Sequence, residues 1–404
     1  MTNIVVVGAG QAASSLVAKL RNTGFDGAIT VIGKETALPY QRPPLSKKYM
    51  LGDMKLDRLF LRPEAFYSDN NISMRLGATV TSIDRTAKTI NIGDETLGYD
   101  HLVLTTGSWP RRLPAAIGGD LHGVYVMRDL DDADTMASEF VAGKKLLVIG
   151  GGYIGLEAAA VAATKGVDVT LVEMADRILQ RVAAPETSDY FRAAHSAHGV
   201  KILEGVGLTK LNGTDGRVTQ AELNNGATLD VDFVIVGVGI TPASELAEAA
   251  GLVIENGIKV NEFGQTSDPN IWSAGDCASF PYQGTRIRLE SVGNAIDQAE
   301  NIAQNIMGAQ TPYVAKAWFW SDQFDIKLQI AGLNIGYDSV IERPSDTDGS
   351  KSLWYYKDDQ LLAVDAMNDP KAFMIGKRLI EAGKSPAKEL IADPETDLKA
   401  LLKS

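Results

Sequence analysis

Apolar positions along the chain fall into two kinds of run, and their alternation predicts an α/β architecture. Ile4 to Val7, Ile29 to Ile32, Leu146 to Ile149, Val169 to Val172 and Phe233 to Val236 are short β-branched or aliphatic runs, the pattern of strands buried on both faces. Gln11 to Arg21 and Tyr153 to Lys165 follow two of them as helical stretches, and Asp129 to Val141 reads as a further helix rich in acidic residues. From about Pro312 the pattern changes. Trp318-Phe319-Trp320 and Trp354-Tyr355-Tyr356 sit on strand-like runs, which predicts a separate α+β region.

Two strand-to-helix junctions are glycine turns: Gly8-Ala9-Gly10-Gln11-Ala12-Ala13 and Gly150-Gly151-Gly152-Tyr153-Ile154-Gly155. Small residues let the backbone turn sharply and approach a pyrophosphate, while free N–H groups at the helix start supply positive partial charge. A single such turn also arises from packing alone. Two of them, about 140 residues apart in βαβ-like settings, predict two bound dinucleotides, one a flavin and the other a nicotinamide. Ala13 stands where a third glycine often sits, a variant the pattern allows.

Glu173 ends the strand after the second turn, where a carboxylate accepts both adenosine ribose hydroxyls and repels a 2′-phosphate, so NADH is expected over NADPH. Arg177 tempers that expectation, because a nearby arginine can receive the extra phosphate. The first half ends its equivalent strand in Gly33-Lys34-Glu35, with no acid at the last position. Glu35, displaced by two residues, is the ribose candidate there, and Lys34 is expected beside the adenosine half through its backbone or aliphatic stem.

At 404 residues and 45% hydrophobic content the chain can bury more than one core. The formal net charge of −12 argues against nucleic acid or an anionic membrane as principal partner. No apolar run approaches the length of a membrane span and the N-terminus lacks a signal-peptide pattern, so a soluble, cytoplasmic protein is expected. Cys277 is the single cysteine, so there is no CxxC pair and no intrachain disulfide. A flavoprotein so built must pass electrons on from the flavin itself. The four histidines carry no metal spacing beyond His195 and His198, which at i,i+3 read as an exposed helix face.

Longer segments make the chain specific. Leu38-Pro39-Tyr40-Gln41-Arg42-Pro43-Pro44-Leu45-Ser46-Lys47, Leu104-Thr105-Thr106-Gly107-Ser108-Trp109-Pro110-Arg111, Thr266 through Ala278, with Ala274-Gly275-Asp276-Cys277 at its end, and Trp318-Phe319-Trp320-Ser321-Asp322-Gln323 resemble the signature segments of FAD-dependent ferredoxin reductases. The resemblance runs from Ile4 to about Asp365. It extends to reductases that serve cytochrome P450 and aromatic-ring dioxygenase systems, and it implies a glutathione-reductase-like fold. Two Rossmann-like domains are then expected, an FAD-binding domain of residues 1–112 and 240–313 and an NADH-binding domain of 113–239, followed by a C-terminal α+β domain of 314–404.

Carried over by position, the resemblance makes Gly8, Gly10, Ala12, Lys34, Glu35, Arg42, Lys47, Val80, Arg128, Asp276 and Val292 contacts of FAD. Gly150, Gly152, Ile154, Gly155 and Glu173 become contacts of NADH. Asp276 follows a glycine after an apolar strand, a setting that suits a carboxylate accepting the ribityl hydroxyl. Arg42 and Arg128 are positioned to neutralise the pyrophosphate. The resemblance also places Lys47 beside the flavin N5 edge with Glu157 as its partner, where a cation stabilises the charge that hydride transfer brings. The alternative is an ion pair of purely structural use. Trp320, and less so Trp318, is expected near the nicotinamide-side or re-oxidation face of the flavin; Cys277 reads as a small buried hydrophobe.

The implied activity is NADH-dependent reduction of a [2Fe–2S] ferredoxin that feeds a P450 or another oxygenase. Two alternatives stay open on the sequence: a reductase of quinones, radicals or oxygen on the same fold, and a binding protein of the apoptosis-inducing-factor type. Net acidity disfavours the second. Lys327, Arg288, Lys371, Lys377 and Arg378 are candidate docking residues for an acidic ferredoxin.

Overall fold

The structure is a computed structural model that describes residues 2–345 and 347–403. Contacts group the chain into two compact units, one of Met1–Gln41, Leu56–Trp109 and Ile240–Ala317, the other of Arg42–Lys55, Pro110–Gly239 and Trp318–Ser404. The expected portions 113–239 and 314–404 thus fall in the same unit.

The first unit is built on a five-stranded sheet in the order Ile271–Ser273, His101–Leu104, Asn3–Val7, Ala28–Gly33, Ile72–Leu76. All its pairings are parallel. Such a sheet is covered on both faces, so its strands are apolar throughout rather than alternating; Ile4, Val5, Val6, Leu102, Val103 and Leu104 have no exposed surface. The helices Gln11–Asn22 and Val292–Ile306 pack together on one face, around Leu16, Leu20, Ala299 and Ile302. Ser291 caps the second of them by accepting the Asn294 amide at 3.1 Å, worth about 1 kcal/mol.

The second unit repeats the theme with strands Lys201–Glu204, Asp168–Glu173, Lys145–Ile149, Phe233–Val236 and Val124–Tyr125, again all parallel. The Tyr153–Thr164 helix is apolar on nearly every side, as befits a helix enclosed by protein. The acidic helix is shorter than its composition suggests. It runs Leu130–Ala137 behind a reciprocal Asp129/Asp132 capping box, and stops before Val141. Just beyond its Ser138 cap, the Glu139 carboxylate accepts from Arg217 at 2.6 Å, Lys144 at 2.8 Å and the Tyr125 hydroxyl at 2.8 Å.

The same unit contains an antiparallel five-stranded sheet, in the order Trp318–Gln323, Ile326–Gly332, Gln360–Met367, Lys351–Lys357, Ser339–Pro344. Trp354, Tyr355 and Tyr356 are wholly buried in it. The Pro370–Glu381 helix lies close on this sheet at Gly376, where an added Cβ would sit 2.6 Å from a Val364 methyl.

Candidate functional site

Both glycine turns lie at the carboxyl ends of their parallel strands, where open α/β sheets bind ligands. Their geometries nearly coincide. The Gly8 amide donates to the Ile32 carbonyl and the Gly150 amide to the Val172 carbonyl, each at 2.8 Å. A Cβ on Gly8 would fall 2.2 Å from the Thr105 carbonyl oxygen, and one on Gly150 2.4 Å from that of Gly237. The second glycine of each turn is different in kind: a Cβ on Gly10 or Gly152 would meet nothing within 4 Å. The first glycine serves packing against the neighbouring strand end. The second keeps open the face on which phosphates would rest, so both turns fit a pyrophosphate. Gly155 again answers to packing, since its Cβ would lie 2.1 Å from the Gly150 carbonyl.

In the first unit the neighbours of the turn are those the sequence singles out. An added Cβ on Gly275 would lie 3.5 Å from that of Ala12, so Asp276 sits beside the start of the first helix. Val292 opens the helix packed against it. Glu35 follows the Ala28–Gly33 strand and accepts a 2.5 Å hydrogen bond from the Tyr40 hydroxyl. Lys34 is exposed, its ammonium 5.3 Å from the Trp109 ring centre. Val80 is buried among apolar side chains, and so is Cys277.

In the second unit Glu173 ends its strand with one carboxylate oxygen on the Gly151 amide at 2.7 Å and the other on the Ala175 amide at 2.8 Å. Its charge is thereby anchored at the turn. Arg177 is committed elsewhere, donating to Ser188 Oγ at 2.6 Å and the Ala183 carbonyl at 2.8 Å. Ile154 is exposed on the first turn of the helix. Arg42 donates to the Arg128 carbonyl at 3.0 Å, which brings those two residues together.

Arg42-Pro43-Pro44 leads into a wide helical turn, Leu45–Tyr49, closed by the Tyr49 amide on the Pro44 carbonyl at 3.0 Å. Lys47 breaks the turn, with φ −138° and ψ −114°. Its ammonium lies 2.9 Å from Glu157 Oε1, on the Tyr153–Thr164 helix, and 5.9 Å from the centre of the Trp320 ring. Glu157 is 2% exposed and Lys47 9%. Ser321 Oγ donates to Glu157 Oε1 at 2.6 Å and Ser46 Oγ to Oε2 at 2.8 Å. Burial pushes the Glu157 carboxyl above its ordinary pKa, while the Lys47 charge and the hydrogen bonds from Ser321, Lys47 and Ser46 pull it back. Trp320 stacks on Trp318 with centroids 5.4 Å apart and planes at 21°, and Lys377 lies over the outer ring.

Two expectations fail. His195 is not on an exposed face: it is completely buried, and only His198 reaches solvent, because the Pro185–Ala197 helix turns Thr187, Ser188, Phe191 and His195 inward. Arg288 is unavailable for docking, its side chain only 10% exposed and tied to Glu290 and to the Asp276 carbonyl. Lys327, Lys371 and Arg378 are exposed. Ser46, Ser321 and Gln323 were given no role by the sequence reading. Ser321 and Gln323 alternate along Trp318–Gln323 as buried strand residues do, but their polarity masks that signal in the sequence.

Comparison with known proteins covers the chain from end to end. Residues 2–299 match the family model of pyridine nucleotide-disulphide oxidoreductases, and residues 318–402 match the reductase C-terminal model. Rhodocoxin reductase of Rhodococcus erythropolis is 41% identical over 400 residues, 98% of this chain and 93% of that protein. A ferredoxin–NAD(P)(+) reductase of Sphingomonas sp. is 42% identical over 402 residues, 98% of this chain and 97% of the other. The crystal structure of the covalent putidaredoxin reductase–putidaredoxin complex matches with a TM-score of 0.96 at 39% identity, covering 100% of this chain and 98% of that one.

Proposed function

Because the chain belongs to the pyridine nucleotide-disulphide oxidoreductase family, we propose that it is an NADH-dependent ferredoxin reductase holding FAD in its first glycine turn and NADH in its second. The observation that carries this reading is the recurrence of one turn at the ends of two parallel sheets, locked at its first glycine and open at its second. Reductases similar to it over nearly their whole length support the acceptor, a [2Fe–2S] protein serving a cytochrome P450 or another oxygenase. The lone Cys277 leaves no dithiol to carry electrons within the chain. The chemistry that FAD would supply at this site is acceptance of a hydride and its return as single electrons.

The residues divide the task. In the first unit Gly8, Gly10 and Ala12 would seat the pyrophosphate, Glu35 the adenosine ribose and Asp276 the ribityl chain, with Lys34, Val80 and Val292 alongside. Arg42 and Arg128 would supply positive charge to the phosphates, and Lys47, paired with Glu157, would stabilise the electron-rich ring. Trp320 lies over that ammonium and would border the ring. Gly150, Gly152, Ile154 and Gly155 would receive NADH. Glu173 presents a fixed carboxylate and Arg177 is already occupied, which together favour NADH over NADPH. The FAD portion is assigned to 1–112 and 240–313, the NADH portion to 113–239 and the C-terminal domain to 314–404.

No helix among the described residues is long and apolar enough to cross a membrane. We assign a cytoplasmic location, where NADH is supplied and Cys277 stays reduced. The activity is tested by mixing FAD-loaded protein with NADH and a purified [2Fe–2S] ferredoxin and following bleaching of the cluster. Fast NADH-dependent bleaching is expected. If no ferredoxin accelerates electron flow while a quinone does, the reading is wrong.

A further inference from the structure

His195 has a use that the exposed-face reading hid. Its Nε2 lies 2.8 Å from Gln323 Oε1; Gln323 Nε2 donates to Ser321 Oγ at 3.1 Å; Ser321 Oγ donates to Glu157 Oε1 at 2.6 Å. All four side chains are buried, none more than 2% exposed. At the far end His195 Nδ1 is buried with no hydrogen-bond partner among the described residues.

Such a chain can be polarised in only two ways. If Glu157 is a carboxylate it can only accept, so Ser321 must donate to it and accept from the Gln323 amide group. The Gln323 carbonyl then faces His195, which must carry its proton on Nε2. If Glu157 is protonated and donates to Ser321, every bond reverses. Ser321 then donates to the Gln323 carbonyl, the amide group turns to His195, and the imidazole must carry its proton on Nδ1. That proton would have no acceptor. An orphaned buried N–H is costlier and rarer than an orphaned lone pair, so the empty surroundings of Nδ1 choose the first arrangement.

We infer that His195 is a positioning residue for the Lys47–Glu157 pair: fixed as its Nε2–H tautomer, it starts a one-way line of donors through Gln323 and Ser321 that keeps Glu157 Oε1, the oxygen facing Lys47, a proton-free acceptor. The charge of Lys47 is then matched within a buried setting without any step in which His195 itself gains or loses a proton. Phe324 closes the site, edge-on to His195 at 5.0 Å and stacked on His198 at 3.8 Å. Burial depresses the His195 pKa, the hydrogen bond to Gln323 opposes that and the neighbouring His198 adds to it, so a positive charge on the line is disfavoured. The geometry stands by itself; its bearing on catalysis rests on the function proposed above.

The test uses the full FAD-loaded protein with 15N-labelled histidine. Only four histidines contribute, and His195→Gln identifies the signal of interest. A neutral Nε2–H tautomer is expected, persisting to pH values below about 6.5, where an ordinary histidine titrates. An Nδ1–H tautomer, or an imidazolium at neutral pH, overturns the inference. A second readout is the Glu157 carboxyl itself, followed by 13C labelling or infrared difference spectra and assigned with Glu157→Gln. His195→Phe should move its equilibrium about three- to tenfold toward the acid, and His195→Gln, whose amide can still donate to Gln323, should restore it. No movement in His195→Phe refutes the line of donors. Should that variant fail to fold, the wild-type tautomer still decides. If the line behaves as expected while Glu157→Gln leaves FAD reduction by NADH unchanged, the inference holds and the place given to Lys47 beside the flavin falls.

Discussion

Asp365 should make the protein lose stability as pH rises through the weakly acidic range, and Asp365→Asn should abolish that loss. The carboxyl sits within the second unit, 1% exposed, and its Oδ2 accepts from the Tyr355 hydroxyl at 2.5 Å and from Thr187 Oγ1 at 2.8 Å. Burial pushes its pKa up to about 6, against which the two hydroxyls pull only partly. The unfolded chain titrates near 3.9. Between those values the native state binds the extra proton, so the contribution is complete below about pH 4, declines as pH rises toward 6 and is gone above it. A difference of about two pH units is worth ~3 kcal/mol, of which about 1.4 kcal/mol is lost between pH 5 and 8. Denaturant unfolding of the FAD-loaded wild type and variant, followed by tryptophan fluorescence at each pH, reads this as a difference in which other carboxylates cancel. The variant should gain on the wild type by that amount. Curves that stay parallel, or a wild type that gains on the variant with rising pH, would refute the reasoning.

Four further outcomes follow from the same geometry. Glu157→Gln strands the Lys47 ammonium in a buried site, at a cost of about 3–5 kcal/mol shared between stability and the reaction; stopped-flow reduction of FAD by NADH should slow at least tenfold, and an unchanged rate would leave the pair a structural one. Gly10→Val places a side chain in open space above the first turn, so circular dichroism should report a folded protein that no longer retains FAD. Gly8→Ala should instead lower the melting temperature even of protein stripped of flavin, since its methyl meets the Thr105 carbonyl. Glu173→Ala should reduce kcat/KM for NADH, whereas gain with NADPH requires Arg177 to be freed as well; efficient NADPH use in the single variant would contradict the role given to Arg177.

The nucleotide-binding frames were legible because sterics and periodicity encode them locally. Unbroken apolar runs report strands covered on both faces, and glycine turns report a backbone that must pass close to its neighbour. What could not be read was the polar interior. The Pro185–Ala197 helix buries Thr187, Ser188 and His195 beside Phe191, so a search for an apolar stripe assigns the wrong face. Ser321 and Gln323 alternate as buried strand residues do, yet their polarity argues for the surface. Arg288 looked like a free cation until its carbonyl and carboxylate partners were in view. The Lys47–Glu157 contact came from resemblance alone, because nothing local in either segment names a partner so far along the chain.

That distance matters while the protein is being made. Ser46 leaves the ribosome 111 residues before Glu157, and Glu157 leaves it 164 residues before Ser321. At about 5–20 residues per second the nascent Arg42–Lys55 segment waits roughly 6–20 s for its carboxylate, and the carboxylate waits longer still for its last donor. The cluster therefore cannot be finished until the Trp318–Gln323 strand is translated. A gene fragment covering 113–239 would encode a complete glycine turn, yet it would carry Glu157 without Lys47, Ser46 or Ser321. Its product should expose or protonate that carboxyl, so separate expression of the portion calls for an apolar substitute at this one position.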